Sequence, residues 1–314
     1  MRLSTVGAMK HAGQQCGVQL SSKNLADLKC VMLDILRDVI SVCESEGIPL
    51  TMGGGTCLGA VRHHGYIPWD DDLDINMARA DLNRFLESFE RRFSQKYWIH
   101  APGLTTGYEL DLIRIRRRGT TVRAHDDTVD GECGAYIEIF IIESVPNGVI
   151  ARAVHGFGSL VLGFLLSCRR YRAHRDMYSR VLAEDAGALN AIRFKSAVGS
   201  LLSFASVERW LRLWDGWNGL CRDNESEYVT IPAGRAHYFR EMRRRTDFFP
   251  AVYIAFEALI VPIPANVDAY LTALYGRDYM IPPPEGDREK HVVYEFDLGD
   301  YENDAHGSGD SHDC

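Results

Sequence analysis

From Asn24 onward, apolar residues recur at helical spacing: Leu25, Leu28, Met32, Ile35, Leu36, Val39, Ile40 and Cys43, with Gly47 as a stop. Ser21, Ser22 and Asn24 are candidate caps. Ile48 to Met52 then reads as a short strand running into Gly53-Gly54-Gly55. Thr56 to His63 suits a short helix, broken at Gly65. Tyr66 to Asn76 reads as extended, with Asp70, Asp72 and Asp74 alternating against Asp71, Leu73 and Ile75. Asp81 opens a second amphipathic helix carrying Leu82, Phe85, Leu86, Phe89 and Phe93 on one face.

Further along, Glu109 to Arg116 and Tyr136 to Ile142 predict strands, the second apolar except for Glu138. From 150 to 222 the pattern is mostly helical, with many arginines on one side. Residues 248–264 turn extended, with prolines at 250, 262 and 264, and Val267 to Tyr275 forms a helix ended by Gly276. This alternation predicts an α+β fold, a mixed sheet flanked by helices with a mostly helical region attached. The expected divisions are a flexible tail over 1–20, a core over 21–150, a helical region over 151–230, a C-terminal part over 231–296 and a disordered acidic tail over 297–314.

Composition narrows the function. The 314 residues are 46% hydrophobic and 25% charged, as in an ordinary globular protein. A net charge of -8 disfavours nucleic acid as a partner. Eight cysteines without CxxC spacing exclude a zinc ribbon and fit a reducing, cytoplasmic setting. The N-terminus has no apolar run of signal-peptide type. The longest apolar stretch, Gly156 to Ser167, falls short of the roughly 20 residues of a membrane-spanning helix. Arg169, Arg170, Arg172 and Arg175 follow it, which leaves two readings: a buried helix with a basic solvent face, or an interfacial helix in peripheral contact with a membrane.

The chemistry concentrates between Gly53 and Asp74. A glycine turn between strand and helix presents backbone N–H groups and a helix N-terminus to a phosphate, so Gly54, Gly55 and Thr56 are phosphate-binding candidates. On a strand, Asp70, Asp72 and Asp74 share one face. Three such carboxylates repel one another unless a hard cation, Mg²⁺ or Mn²⁺, neutralises them. An EF-hand is excluded, because its sixth and twelfth positions would be Ile75 and Asp81 in place of glycine and glutamate.

The ungapped run from Gly54 through Gly65-Tyr66-Ile67-Pro68-Trp69-Asp70-Asp71-Asp72-Leu73-Asp74-Ile75 closely resembles the signature of the LicD family. That family includes bacterial phosphocholine transferases and is similar to fukutin-related proteins. Phe249-Pro250 to Phe256-Glu257, Val261-Pro262, Tyr270-Leu271, Tyr275-Gly276 and Asp278-Tyr279-Met280 also look like the family. The resemblance implies a nucleotidyltransferase-like fold in which Asp72 and Asp74 form the metal-binding pair and Asp70 matches the leading acid. The family's later Ile-Asp-Ile-Phe-Pro strand reads here Ile137-Glu138-Ile139-Phe140-Ile141, so Glu138 stands where the third acid is aspartate.

The resemblance further implies a CDP-linked donor, loss of CMP, and passage of phosphocholine or a phospho-alditol to a glycan or lipid-linked glycan hydroxyl. Arg62, on the helix after the turn, is a candidate for the donor phosphates, and Glu138 or an aspartate for the proton of the acceptor. Arg114 to Arg118 reads either as a substrate-lining strand or as a solvated edge. Tyr66, Trp69 and Trp98 are candidates for an aromatic box around a quaternary ammonium, or core residues. Two rival functions remain: transfer of the nucleotidyl group itself, and donor binding without chemistry.

Overall fold

The computed structural model describes residues 17–129, 131–182, 186–288 and 291–299. Helix α1 (Ser22–Glu46) starts where Ser21 Oγ accepts the Asn24 N–H at 3.0 Å. It stops at Gly47, whose φ of 63° lets its N–H reach back to the Cys43 and Glu44 carbonyls. Its stripe of Leu28, Val31, Met32, Ile35, Leu36, Val39 and Val42 is buried. Strand β1 (Leu50–Met52) leads into α2 (Gly54–His63), then β2 (Asp74–Ala78), α3 (Arg79–Phe93), β3 (Tyr97–His100), β4 (Ile113–Arg117), β5 (Thr121–Ala124) and β6 (Tyr136–Val145).

The main sheet runs β1-β2-β6-β4-β3. Only the β2–β6 pairing is parallel. The register sets Glu138 of β6 between Asp74 of β2 and Arg114 of β4. Alternation along β6 then divides its faces. Ile137 and Ile139 join the core with α1 and α3, while Glu138 and Phe140 face a cavity. The far half of β6 pairs with β7 (Tyr228–Thr230), which pairs with β8 (Arg243–Arg244).

Beyond the sheet lie α4 (Val149–Ala173), α5 (Arg175–Val181), α6 (Ala186–Leu201) and α7 (Val207–Asn218). Small residues bring these helices together. A Cβ on Gly158 would sit 2.2 Å from the Trp217 indole, and one on Gly199 would sit 2.1 Å from the Cys168 carbonyl oxygen. Trp214 and Trp217 donate their indole N–H groups to the Ser159 and His155 carbonyls of α4 at 2.9 and 2.8 Å. The chain closes with α8 (His237–Glu241), α9 (Arg245–Phe248), the hairpin β9 (Val252–Phe256) to β10 (Leu259–Ile263), α10 (Val267–Tyr275), and β11 (Val293–Asp297) paired with β5.

The α+β arrangement, a mixed sheet flanked by helices, agrees with the pattern of the sequence. Several details differ. Residues 70–73 are irregular, and β2 starts only at Asp74. Residues 109–112 are also outside β4. That strand is interior, and Arg114 (3% exposed) and Arg116 (1%) are buried because acids meet them there, while Arg117 is half-buried. Helix α4 has 25 residues, well past the apolar run seen in sequence, and among the described residues it is long and apolar enough to cross a membrane. The expected tails lie largely outside the described residues, in 1–16 and 300–314. Where described, they pack: Val18 N–H donates to the Val293 carbonyl at 2.7 Å, and Leu298 is fully buried. Cys30 is disulfide-bonded, which the reducing setting read from the sequence does not predict, while Cys43, Cys57, Cys133, Cys168 and Cys221 are free.

Candidate active site

The glycine turn fits the acids closely. A Cβ on Gly54 would lie 2.9 Å from Asp74 Oδ2, and one on Gly55 would lie 2.9 Å from Asp70 Oδ2. Gly54 also has a φ of 39°, a left-handed conformation that glycine adopts without a steric penalty. The loop carrying the acids is pinned from two sides. Lys29 Nζ donates to the Ile67 and Pro68 carbonyls, each at 3.0 Å. Glu257 accepts the Tyr66 N–H at 2.9 Å, and its carboxylate fills the space a side chain at Gly65 would need.

Asp70, Asp72, Asp74 and Glu138 line one cavity of about 1100 Å³ together with Gly54, Gly55 and Arg62. Thr56 is turned away. It is buried, and its hydroxyl accepts the Asp74 backbone N–H at 2.8 Å, so it fixes the first residue of β2. Helix geometry leaves first-turn N–H groups without intrahelical partners. The Gly54 N–H donates to the Tyr270 hydroxyl at 3.1 Å. Arg62 donates to the Tyr279 carbonyl at 2.8 Å and to His63 Nε2 at 3.0 Å.

The electrostatics are unfavourable for bare carboxylates. Burial, then the charges of Asp72 and Asp71, hold the Asp70 carboxyl well above its ordinary range. Burial, then Asp72 and Glu138, do the same to Asp74. Asp74 Oδ1 is buried without a hydrogen-bond partner. Burial also raises Glu138, against the pull of Arg114. Crowded, buried carboxylate oxygens of this kind are the donor set a hard divalent cation takes, and Asp70, Asp72 and Asp74 are candidate ligands.

Arg114 belongs to the basic strand read in sequence as substrate-lining or solvated, whereas its partners Asp126 and Asp127, and His291, carried no signal there. Arg114 Nε donates to Glu138 Oε1 at 2.8 Å, and the same guanidinium reaches Asp127 at 2.9 Å and Asp126 at 3.0 Å. So the basic strand turns its first arginine into the site. Asp71 joins the cluster from its edge, and its carboxylate pairs with His291 Nδ1 at 2.8 Å, while His291 Nε2 lies 3.7 Å from Asp72. Asp71, Asp72 and His291 bring ligand atoms within 4.8 Å of one another. Burial opposes the His291 charge, yet Asp71 and Asp72 hold its pKa well above the usual imidazole range. The 220-residue separation between these partners hides them from local pattern reading.

The three candidate box aromatics do not converge. Trp69 lines the cavity with Arg288 4.2 Å over its ring. Tyr66 is buried edge-on to Phe256 and donates to the Lys29 carbonyl. Trp98 sits on β3 beneath Arg118. Pairing and sheet position send each to a different neighbourhood.

Residues 47–130 match the family described as LicD/FKTN/FKRP, nucleotidyltransferase domain. Along most of its length the chain is similar to the lipopolysaccharide cholinephosphotransferase LicD of Haemophilus influenzae, at 26% identity over 275 residues, which is 86% of this chain and 97% of that protein. It shares 35% identity over 77 residues with the uncharacterized protein RP689 of Rickettsia prowazekii, 23% of this chain and 29% of that one. It shares 41% identity over 46 residues with the ribitol 5-phosphate transferase FKRP of Homo sapiens, 15% of this chain and 9% of that protein. The resemblance read in the sequence therefore holds, and it extends past the motif into the helical and C-terminal regions.

Proposed function

We propose that this LicD-related chain is a transferase of phosphorus-containing groups, moving phosphocholine or a phospho-alditol from a CDP-activated donor to a glycan hydroxyl. The carrying observation is the partnerless, buried Asp74 Oδ1 among Asp70, Asp72 and Glu138, beside a glycine turn at the wall of a large cavity. The relatives named as cholinephosphotransferase and ribitol 5-phosphate transferase support the same class of reaction.

Asp70, Asp72 and Asp74 would hold Mg²⁺ or Mn²⁺. When bound, such an ion supplies charge neutralisation on donor phosphate oxygens. The absence of side chains at Gly54 and Gly55 lets Asp74 and Asp70 pack against the turn, and a donor phosphate would meet the α2 N-terminus beside these acids. Arg62 lies at the same wall and adds positive charge. The acceptor oxygen attacks the phosphorus bearing the head group. The bond from that phosphorus to the bridging oxygen breaks, and CMP leaves with the electron pair. Glu138 takes the acceptor's proton, oriented by Arg114. The about 1100 Å³ of the cavity accommodates a nucleotide-sized donor beside a sugar acceptor.

The test is incubation with CDP-choline or CDP-ribitol, Mg²⁺ and a glycan acceptor, with CMP release and label transfer measured together. Equimolar CMP and labelled glycan support the reading. Label that moves with the nucleotide to the product would replace it with nucleotidyl transfer. Binding of CDP compounds without turnover would leave a donor-binding protein.

A further inference from the structure

The helical region differs from the remainder in what it shows to solvent. Among the described residues, eleven of the nineteen large hydrophobic side chains that are exposed lie between positions 149 and 220. Four of them fall at i, i+4, i+7 and i+11 on α4: Ile150 (82% exposed), Val154, Phe157 (63% exposed) and Val161. That spacing places them on one stripe along the outer side of the helix. Ala153, Gly158 and Trp217 flank the stripe and form a shallow, apolar groove with it.

Charge follows the same division. Positions 149 to 220 hold ten Lys and Arg against five Asp and Glu, a net +5 within a chain that totals -8. Arg172 at the end of α4, Arg175 at the start of α5, Arg193 on α6 and Arg209 and Arg212 on α7 are exposed. An apolar helix stripe within a basic region complements an anionic lipid surface, which offers acyl chains below and negative headgroups above. A long apolar helix also suits a membrane span, but α4 is held within the fold by its other faces. His155 is buried between the Tyr238 hydroxyl and the Trp217 carbonyl at 2.7 and 2.8 Å, and Gly156, Gly158 and Gly163 admit aromatic rings of α7 and its neighbours. Spanning would strip these contacts; lying flat keeps them.

We propose that the outer face of α4 docks in the plane of an anionic membrane surface. The same helix walls the cavity through Ser159, Gly163 and Phe164, and Leu160 both lines the cavity and reaches solvent. Docking by the stripe therefore sets the cavity beside the lipid headgroups, where a lipid-linked glycan presents its hydroxyl. The identity of that acceptor rests on the transferase reading; the docking itself does not.

Sedimentation with vesicles of phosphatidylcholine, alone or mixed with phosphatidylglycerol, tests this. The full chain should bind the mixed vesicles more tightly, and binding should weaken as salt screens the headgroups. Ile150→Asp with Val161→Asp should lower vesicle affinity roughly tenfold or more, because two apolar side chains no longer leave water. Both positions are exposed, so circular dichroism and Tm should be unchanged. Arg172→Glu with Arg175→Glu should weaken binding to mixed vesicles only. Asp72→Asn should bind like the wild type, so loss of transfer and loss of docking are read separately. Absence of binding at low salt overturns the proposal. So does a concentration-dependent dimer abolished by the Ile150 and Val161 substitutions without vesicle binding, and so does membrane attachment that survives alkaline carbonate.

Discussion

The sheet region and the helical region handle polarity in opposite ways. Around β2, β4 and β6, charged groups are drawn inside: Arg114 and Arg116 are nearly fully buried, and Asp70 and Asp74 are crowded into one cavity wall. Around α4 to α7, apolar groups are left outside, and the helices meet through glycines and indoles. The first region stores unfavourable charge that only a ligand relieves. The second buries a single lysine, Lys195, on Ser167 Oγ at 3.1 Å, and presents its apolar side chains at the surface. Substitutions in the first should therefore move chemistry and pH dependence, and substitutions in the second should move stability or attachment.

The largest effect is expected at the acids. Asp72→Asn and Asp74→Asn should each lower CMP release about 10³-fold or more, the scale of losing cation-borne charge stabilisation. Both should stay folded, and Asp74→Asn should raise the Tm measured without added metal. The sign follows from the raised Asp70 and Asp74 pKa values. Above the ordinary carboxylate range the unfolded chain is ionised while the native site still holds protons, so native stability falls as pH rises through that window. The Tm advantage of Asp74→Asn should then widen as pH rises above the ordinary carboxylate range, and Mg²⁺ should raise the wild-type Tm and not the variant's. A variant with full turnover would remove these residues from the site.

Next comes Arg114. Its guanidinium serves Asp126, Asp127 and Glu138 at once. Arg114→Met leaves Asp126 and Glu138 without this cation, while Asp127 keeps Arg116, and urea unfolding should show a loss of about 3–5 kcal/mol. A loss below about 1 kcal/mol would mean that water already solvates those acids.

Glu138→Gln should cut turnover about 10²-fold or more if this carboxylate takes the acceptor proton. Glu138→Asp, which restores the family's residue, should keep most of the activity. KM for the donor should hardly change in either variant, because the proton is moved only in the transition state. A Gln variant of wild-type rate would shift the proton acceptor to Asp70.

These residues also mark what was legible in the sequence. The glycine turn and the alternating aspartates carry their chemistry within about twenty consecutive positions, so pattern reading finds them. The strict alternation it assumed does not hold, because residues 70–73 are irregular backbone and Asp71 meets Asp72 at His291. Pattern reading cannot find Arg114 as a partner of Glu138, or His291 as a partner of Asp71, because register and chain return create those pairs. An arginine-rich strand read in isolation looks solvated; the acids at 126 and 127 make it an interior strand. In the helical region the 3.6-residue period is plain, but which stripe faces inward depends on where Gly158 and Gly199 admit their neighbours.

Gly199→Ala probes that second region. Its Cβ would meet the Cys168 carbonyl, a backbone atom that moves only with α4. Separation of α4 and α6 should cost about 1–3 kcal/mol in urea unfolding. The turnover of the folded enzyme should change far less than in the acid variants. Equal losses of turnover and stability would show that the helices position the acids directly, which would erase the division between the regions.

The smallest expected effect is also the most local. Thr56 lies under the acids, and its hydroxyl accepts the Asp74 N–H at the point where β2 begins. Thr56→Val keeps the shape and removes the acceptor, leaving a part-buried N–H without a partner. The cost in stability should be about 1–2 kcal/mol. Because Asp74 is the residue displaced, kcat should fall while donor KM stays near its wild-type value. Thr56→Ser keeps the hydroxyl and should restore kcat even if the lost methyl lowers stability slightly. A Ser variant as slow as the Val variant would mean that Thr56 acts by packing alone, and the glycine turn by itself would then have to hold Asp74 in place.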